Sequence, residues 1–408
     1  MDYIITDLTE EQKQIKTLVR QFCKREVDAR RMKELVDKAS TAINIEELRA
    51  IQPLDLVEKL HDTGLHQLAV PTKYGGGGAD YLTRVIACEE AGYSGGIVGS
   101  ILSMAWMYCA NLADYPVTEA QRDWFYPQFM ENPTMTLAEA TSEPHGNTDM
   151  HIGYEGPGVQ SETFACKDGD EWVLNGSKMF SSYGGVADLI MVLARTDKQR
   201  PLTQSLSYFW VKKDTPGMTM EANRMLVDFI GGNVQIHLDN VRVPESHLVG
   251  ELNNGYCLRE RSVAMRMLPM AVFLGSAQKL YEEMREYAKE RIQGGKPIIE
   301  HSNMARMLGE AGINLEAARA FIRKAAWEND WREKAGQPVN VFWTEAVRYY
   351  VKKMCWRLCE IASDVYGGMA SSVDMPVESF VRQAYCMQHL GGTTEMNALL
   401  CSKYYDCR

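Results

Sequence analysis

The sequence predicts an α+β fold that is mostly helical, with an N-terminal helical domain, a middle β domain and a C-terminal four-helix bundle. Three observations lead there. Helical periodicity fills residues 5–130, short β-rich runs fill Thr134 to Pro244, and long helical periodicities return beyond Gly250. This order, without βαβ alternation, argues against a doubly wound nucleotide fold. The expected domains are residues 1–130, 131–246 and 247–408.

The first helical pattern runs from Leu8 to Glu26. It places Ile15, Leu18, Val19 and Phe22 on one face, and Thr9 with Gln12 forms a capping box at its start. Leu54 to His66 repeats the pattern. A loop follows at Pro71 and Gly75 to Gly78, and Tyr81 to Glu90 resumes a helix. Gly95 to Ala113 is a 19-residue stretch without charge. That length could span a bilayer, but Gly, Ser and Asn111 interrupt it and no basic residues flank it, so it reads as a buried helix. The β-rich runs are EWVLNGSKMF, ADLIMVLART, LSYFWVKK and VQIHLDNVRV, bounded by Gly, Asp, Asn and Pro. Leu268 to Arg291, Ser302 to Glu328 and Val341 to Val365 complete the helical part.

Composition narrows the function. The 54 acidic and 44 basic side chains give a net charge of −10, and no basic block exists to neutralise phosphates, so nucleic acid is not an expected partner. Ten cysteines lie scattered without a CxxC pair or zinc spacing, so no metal is expected. The start, MDYIITDLTEEQKQI, lacks a signal-peptide pattern, and the free thiols fit a reducing cytoplasm.

Ordered segments of the chain resemble the acyl-CoA dehydrogenase family. They are LTEEQKQIKTLVRQF, LHDTGLHQLAVPTKYGGGGADY, TSEPHGNTD, WVLNGSKMFSSYGGVADLIMVLART, LDNVRVPESHLVGELNNGY, AKERIQGGKPIIEH, YGGMASSVDMPVESFVRQA and GGTTEM. The resemblance implies that family's three-domain fold, one FAD per subunit, an acyl-CoA substrate and a homotetramer, with an electron-transfer flavoprotein as possible redox partner. It places Glu139, Thr141, Ser142 and Thr148 along the flavin, with Phe180 and Ser182 beside the ring. An aromatic face can shield such a ring and a hydroxyl can bond its edge. Arg291, Asp364, Gly367, Gly368, Thr393 and Glu395 are the implied contacts to the remainder of the cofactor, completed across a subunit boundary. Each also has a plain reading: an Arg at a helix end suits the helix dipole, Gly-Gly makes turns, and Ser or Thr caps helices.

The chain departs from the family where the chemistry should be. Relatives carry the proton-abstracting glutamate at one of two positions, which here hold Gly391 and Met265. Neither can accept a proton. Val263 and Gly294 also replace family residues, and Asp364 replaces a Gln. Glu260, Asp114, Tyr108 and His389 are candidates for a relocated base. Reduction, or an unusually acidic substrate, would also fit, as would redox-neutral elimination of a leaving group or a flavin-binding paralogue without catalysis. Arg266 is the retained candidate for substrate contact. Trp106 and Tyr108, followed by Tyr115, read as either an aromatic lining of the acyl site or as core.

Overall fold

The computed structural model describes residues 7–114, 117–146, 148–153, 161–227 and 232–407. The chain begins with helices α1 (Glu10–Glu26), α2 (Ala29–Thr41), α3 (Ile45–Ala50), α4 (Leu54–Asp62), α5 (Tyr81–Ser94), α6 (Gly96–Asp114) and α7 (Glu119–Glu131). Strand β1 (Leu137–Ala140) and the short α8 (Thr148–Ile152) lead into β2 (Phe164–Asp168), β3 (Glu171–Ser181), β4 (Leu189–Arg195), β5 (Leu206–Lys212), β6 (Met218–Ala222), β7 (Val234–Pro244) and β8 (Leu248–Val249). Helices α9 (Gly255–Arg261), α10 (Met267–Glu290), α11 (Ser302–Lys334), α12 (Val341–Tyr366), α13 (Pro376–Met387) and α14 (Thr394–Lys403) follow. The expected α+β class is the one found. The uncharged stretch is α6, and no helix among the described residues is long and apolar enough to cross a membrane.

The described residues pack as two compact units, one drawn from Asp28–Ala79 and Met104–Met265, the other from Met1–Val27, Asp80–Ser103 and Arg266–Arg408. In the first, the sheet runs β6-β7-β3-β2-β4-β5-β8, with β1 parallel to β4. Leu174, Val192, Phe209, Ile236 and Val241 enter one core, where Ala39 of α2 and Leu48 of α3 join them, and Ile236 and Val241 share it because β7 carries an extra residue between Leu238 and Val241. The register of β3 against β7 shifts between Leu174 and Gly176 and again between Lys178 and Ser181. The second irregularity decides the direction of the side chains that follow it.

In the second unit α1 opens with the expected capping box: the Gln12 amide donates to Thr9 Oγ1 at 3.2 Å and the Thr9 amide donates to Gln12 Oε1 at 3.1 Å. Helices α10, α11, α12 and α13 pack on one another, and α1 and α5 pack with them rather than apart. Helices α5 and α10 cross where glycines let them meet. A Cβ on Gly92 would lie 2.0 Å from the Val272 carbonyl oxygen, and one on Gly275 would lie 2.0 Å from that of Glu89. Buried Asp330 of α11 holds the start of α5, accepting from the Tyr81 amide at 2.6 Å and the Leu82 amide at 3.0 Å. A carboxylate there satisfies helix donors that otherwise lack a partner.

Candidate functional site

The alternation of β3 puts Trp172, Leu174 and Lys178 on its buried face. A buried lysine needs a partner, and Lys178 has one: Nζ donates to Glu143 Oε1 at 2.7 Å and to the Thr141 carbonyl at 3.2 Å. Glu143 also accepts from Ser161 Oγ at 2.7 Å and from the amides of Glu162 at 2.6 Å and Thr163 at 3.2 Å. Burial alone would raise the Glu143 carboxyl, but the Lys178 charge and these donors outweigh it and hold the group below its ordinary value. This closed pair anchors the 141–146 loop from below. From above, the Met179 amide donates to the Ser142 carbonyl at 2.9 Å.

Just beyond Lys178 the strand bulges. Phe180 takes φ 55°, and its ring stands 58% exposed while Ser181 returns to the interior, donating to the Glu139 carbonyl at 2.9 Å. A bulky residue at positive φ is rare, and here the register shift of the strand imposes it. Ser182 is half-buried and its Oγ accepts from Asn233 Nδ2 at 3.3 Å. Glu139 receives the Tyr208 hydroxyl on its carboxylate. Thr141 and Ser142 are half-buried, and Thr148 is exposed at the start of α8. The structure thus brings Glu139, Thr141, Ser142, Phe180 and Ser182 to one end of the sheet. Hydroxyls and backbone polar groups lie there beside an uncovered aromatic face. That donor set suits a flat, polar-edged ring system such as isoalloxazine.

The other expected contacts lie in the helical unit. Arg291 is exposed at the C-cap of α10. Asp364 is exposed on α12, which ends at Gly367 with φ 58°. A Cβ on Gly367 or Gly368 would meet nothing within 4 Å, so neither glycine is explained by packing within the chain. Thr393 caps α14, accepting from the Met396 amide at 3.1 Å. Exposed Glu395 lies 3.8 Å from Lys353.

Met265 is buried, and Gly391 sits in a turn with φ 62°. Among the candidate bases, Tyr108 is buried, Glu260 is half-buried, and exposed His389 lies edge-on to Tyr385 at 6.3 Å. The side chains of Asp114 and Val263, and Tyr115 altogether, lie outside the described residues. Trp106 is fully buried, its indole N–H donating to the Leu65 carbonyl at 2.9 Å. Arg266 is half-buried at the N-cap of α10. Among the described residues no group of three or more His, Cys, Asp or Glu side chains could hold a metal ion.

Two features escaped the sequence reading. One is the Glu143–Lys178 pair, whose signal was Lys178 falling on the inward parity of β3. The other is a set of charges on the buried stripe of α12, comprising Glu345, Arg348 and Lys352.

Three family models match the chain in order. They are described as the N-terminal, middle and C-terminal domains of acyl-CoA dehydrogenase, and they cover residues 9–132, 138–241 and 258–404. The chain is 29% identical over 401 residues to an acyl-CoA dehydrogenase of Bacillus subtilis, covering 97% of this chain and 98% of that one. It is 27% identical to a caffeyl-CoA reductase–Etf complex subunit of Acetobacterium woodii, with 97% and 98% covered. Among solved structures it is similar to butyryl-CoA dehydrogenase from Megasphaera elsdenii, with a TM-score of 0.85, 27% identity and 99% of each chain covered.

Proposed function

The chain belongs to the acyl-CoA dehydrogenase family, and from that premise we propose that it is an FAD flavoenzyme working at Cα and Cβ of an acyl-CoA thioester. The observation that carries this reading is the exposed Phe180 ring, set by a strand bulge beside the Thr141–Ser142 loop. FAD bound there supplies the acceptor or donor of hydride. Phe180 would cover the bound ring system, the Ser142 and Ser182 hydroxyls would bond its polar atoms, and the buried Glu143–Lys178 pair keeps the loop from shifting. Arg291, with its planar fork of donors, is assigned to phosphate oxygens. The open space at Gly367 and Gly368 fits close approach of a second copy of the chain or of the cofactor. Accordingly, we assign a homotetrameric assembly, testable by analytical ultracentrifugation of the purified protein.

Proton removal from the substrate is assigned to neither Met265 nor Gly391, because a thioether and a hydrogen atom accept no proton at neutral pH. Arg266 is assigned to substrate contact. Electrons pass to or from an electron-transfer flavoprotein, a partner suggested by the relative whose name includes an Etf complex. A redox-neutral elimination is the second reading, favoured by the absence of a carboxylate from both positions.

Anaerobic addition of acyl-CoA thioesters to the purified yellow protein separates these readings. Bleaching of the flavin band at about 450 nm supports oxidation of the substrate. Product release with no acceptor present supports elimination. No response to any saturated or unsaturated thioester would remove the proposal that the chain acts on acyl-CoA.

A further inference from the structure

Helix α12 buries Glu345, Arg348 and Lys352 completely, on the stripe that also carries Thr344, Val347 and Val351. Arg348 Nη1 donates to both Glu345 oxygens, at 2.7 and 2.9 Å. Its Nη2 donates to the carbonyls of Leu390 at 3.2 Å and Gly391 at 2.5 Å. Lys352 Nζ donates to the carbonyls of Leu390 at 3.2 Å and Gly392 at 2.7 Å, and to Asn397 Oδ1 at 2.9 Å. Asn397 closes the ring by donating from Nδ2 to Glu345 Oε2 at 2.5 Å. The carboxylate thus pairs directly with Arg348 and is joined to Lys352 through Asn397, and three consecutive carbonyl dipoles of the 390–392 turn supply the rest of the compensation.

The same turn leaves no room for a side chain. Gly391 has φ 62°, and a Cβ built on it would lie 2.7 Å from Arg348 Nη2. Arg348 cannot easily retreat, because it is buried and its other nitrogen is held by both oxygens of Glu345. Positive φ penalises any L side chain here, and the guanidinium adds a separate steric cost.

We propose that Glu345, Arg348, Lys352 and Asn397 form an internal clamp that positions the Leu390–Gly392 turn and the Thr393-capped helix behind it, and that Arg348 denies residue 391 a side chain. These are positioning residues and handle no proton. Lys352 is fully buried, and the Leu390 and Gly392 carbonyls and Asn397 Oδ1 surround its Nζ. The clamp stands on its own geometry and rests on the proposed function only for its bearing on catalysis. There it explains why glycine occupies a position where relatives carry their base: the space that a carboxylate's stem would need is held by a cation.

The test is a double-mutant cycle of Gly391→Ala and Arg348→Lys in the full chain, read by thermal unfolding and by bound FAD per chain. Lysine keeps the charge but lacks the Nη2 atom that the new Cβ meets. Gly391→Ala is expected to lower the unfolding midpoint by several degrees in the parent and by less than half as much beside Arg348→Lys. The cost of positive φ is common to both backgrounds and cancels. Equal shifts in the two backgrounds would overturn the clamp. Should the alanine variants not fold, Lys352→Met is read by hydrogen–deuterium exchange. Peptides covering residues 388–393 are expected to exchange at least tenfold faster, and parental exchange there would overturn the proposal. In the flavin-loaded protein, Gly391→Glu is expected to confer bleaching by butyryl-CoA only together with Arg348→Lys. Bleaching conferred by the single variant would refute the exclusion at 391. A protein that binds no FAD would end the proposed function while leaving the thermal cycle readable.

Discussion

The sheet unit and the helical unit each bury a charged cluster beneath a loop, but they balance it differently. Beneath the 141–146 loop one lysine meets one glutamate, and Ser161 with two amides completes the acid's shell. Beneath the 390–392 turn Arg348 meets Glu345 directly, Lys352 is linked to that glutamate only through Asn397, and backbone carbonyls make up the difference. The first arrangement holds the Thr141 carbonyl through Lys178 and the Ser142 carbonyl through the Met179 amide, and leaves both of those residues half-buried with their hydroxyls uncommitted to the pair. The second spends all three carbonyls of its turn on the interior and fixes a glycine at 391. A loop whose main anchor is a side-chain ion pair can vary at its neighbours, whereas a turn whose three successive carbonyls all bond buried cations cannot.

The largest expected effect breaks the balanced pair. Lys178→Met leaves Glu143 buried without its counter-ion and is expected to cost about 3–5 kcal/mol in chemical denaturation. Adding Glu143→Leu should recover much of that loss, since an apolar pair needs no compensation. A cost below about 1 kcal/mol would mean that water reaches the pair. Lys352→Met should cost less, about 1–3 kcal/mol, because Arg348 still neutralises Glu345 and only hydrogen bonds are lost. If it cost more than Lys178→Met, the contrast between the clusters would be wrong.

Acid and base sharpen the contrast further. Burial, and then repulsion from Arg348, pull Lys352 down to about 7 from its ordinary 10.5, so the unfolded chain holds more protons between those values. Stability from this group is present above 10.5 and is lost as the pH falls toward about 7. The parent should therefore gain stability from pH 7.5 to 9.5 relative to Lys352→Met, by about 1.4 kcal/mol per pH unit at most. In the sheet unit the sensitive group is His66, stacked on Phe129 at 4.7 Å. Burial, with His61 nearby, pushes it down to about 3 from 6.5, so stability present above 6.5 is lost as the pH falls toward 3. His66→Phe should flatten that acid limb, and an unchanged limb would assign it to other groups. The smallest effect belongs to exposed Glu395. Glu395→Gln should change stability by less than about 0.5 kcal/mol, and any loss of FAD affinity would then report contact rather than folding.

Much of the fold was legible because it rests on local rules. The Thr9–Gln12 capping box, the 3.6-residue periodicities of α10 to α12 and the alternating runs of the sheet each state their own structure. Helix α11 runs on to Lys334, beyond the Glu328 expected, because the charged Trp331–Lys334 turn carries no apolar stripe to mark it. The candidate flavin residues were legible only through resemblance. Nothing local reveals that Phe180 stands outward, since that follows from a register shift against β7. The charges of α12 were hidden because periodicity shows which face is buried but not that Glu345, Arg348 and Lys352 lie on it with partners more than 40 residues away, such as Gly391 and Asn397. Trp106 could be read as lining or core from sequence, and its burial and bond to Leu65 are tertiary facts.

The central claim is that this chain carries FAD on the surface formed by Phe180, Ser182 and the Thr141–Ser142 loop. Its most direct test is the visible spectrum of the purified protein, before and after incubation with FAD, for the parent and for Lys178→Met. The account predicts a yellow parent with one FAD per chain and a variant that retains markedly less. A colourless parent that cannot be reconstituted, or a variant that holds FAD as tightly as the parent, would contradict it.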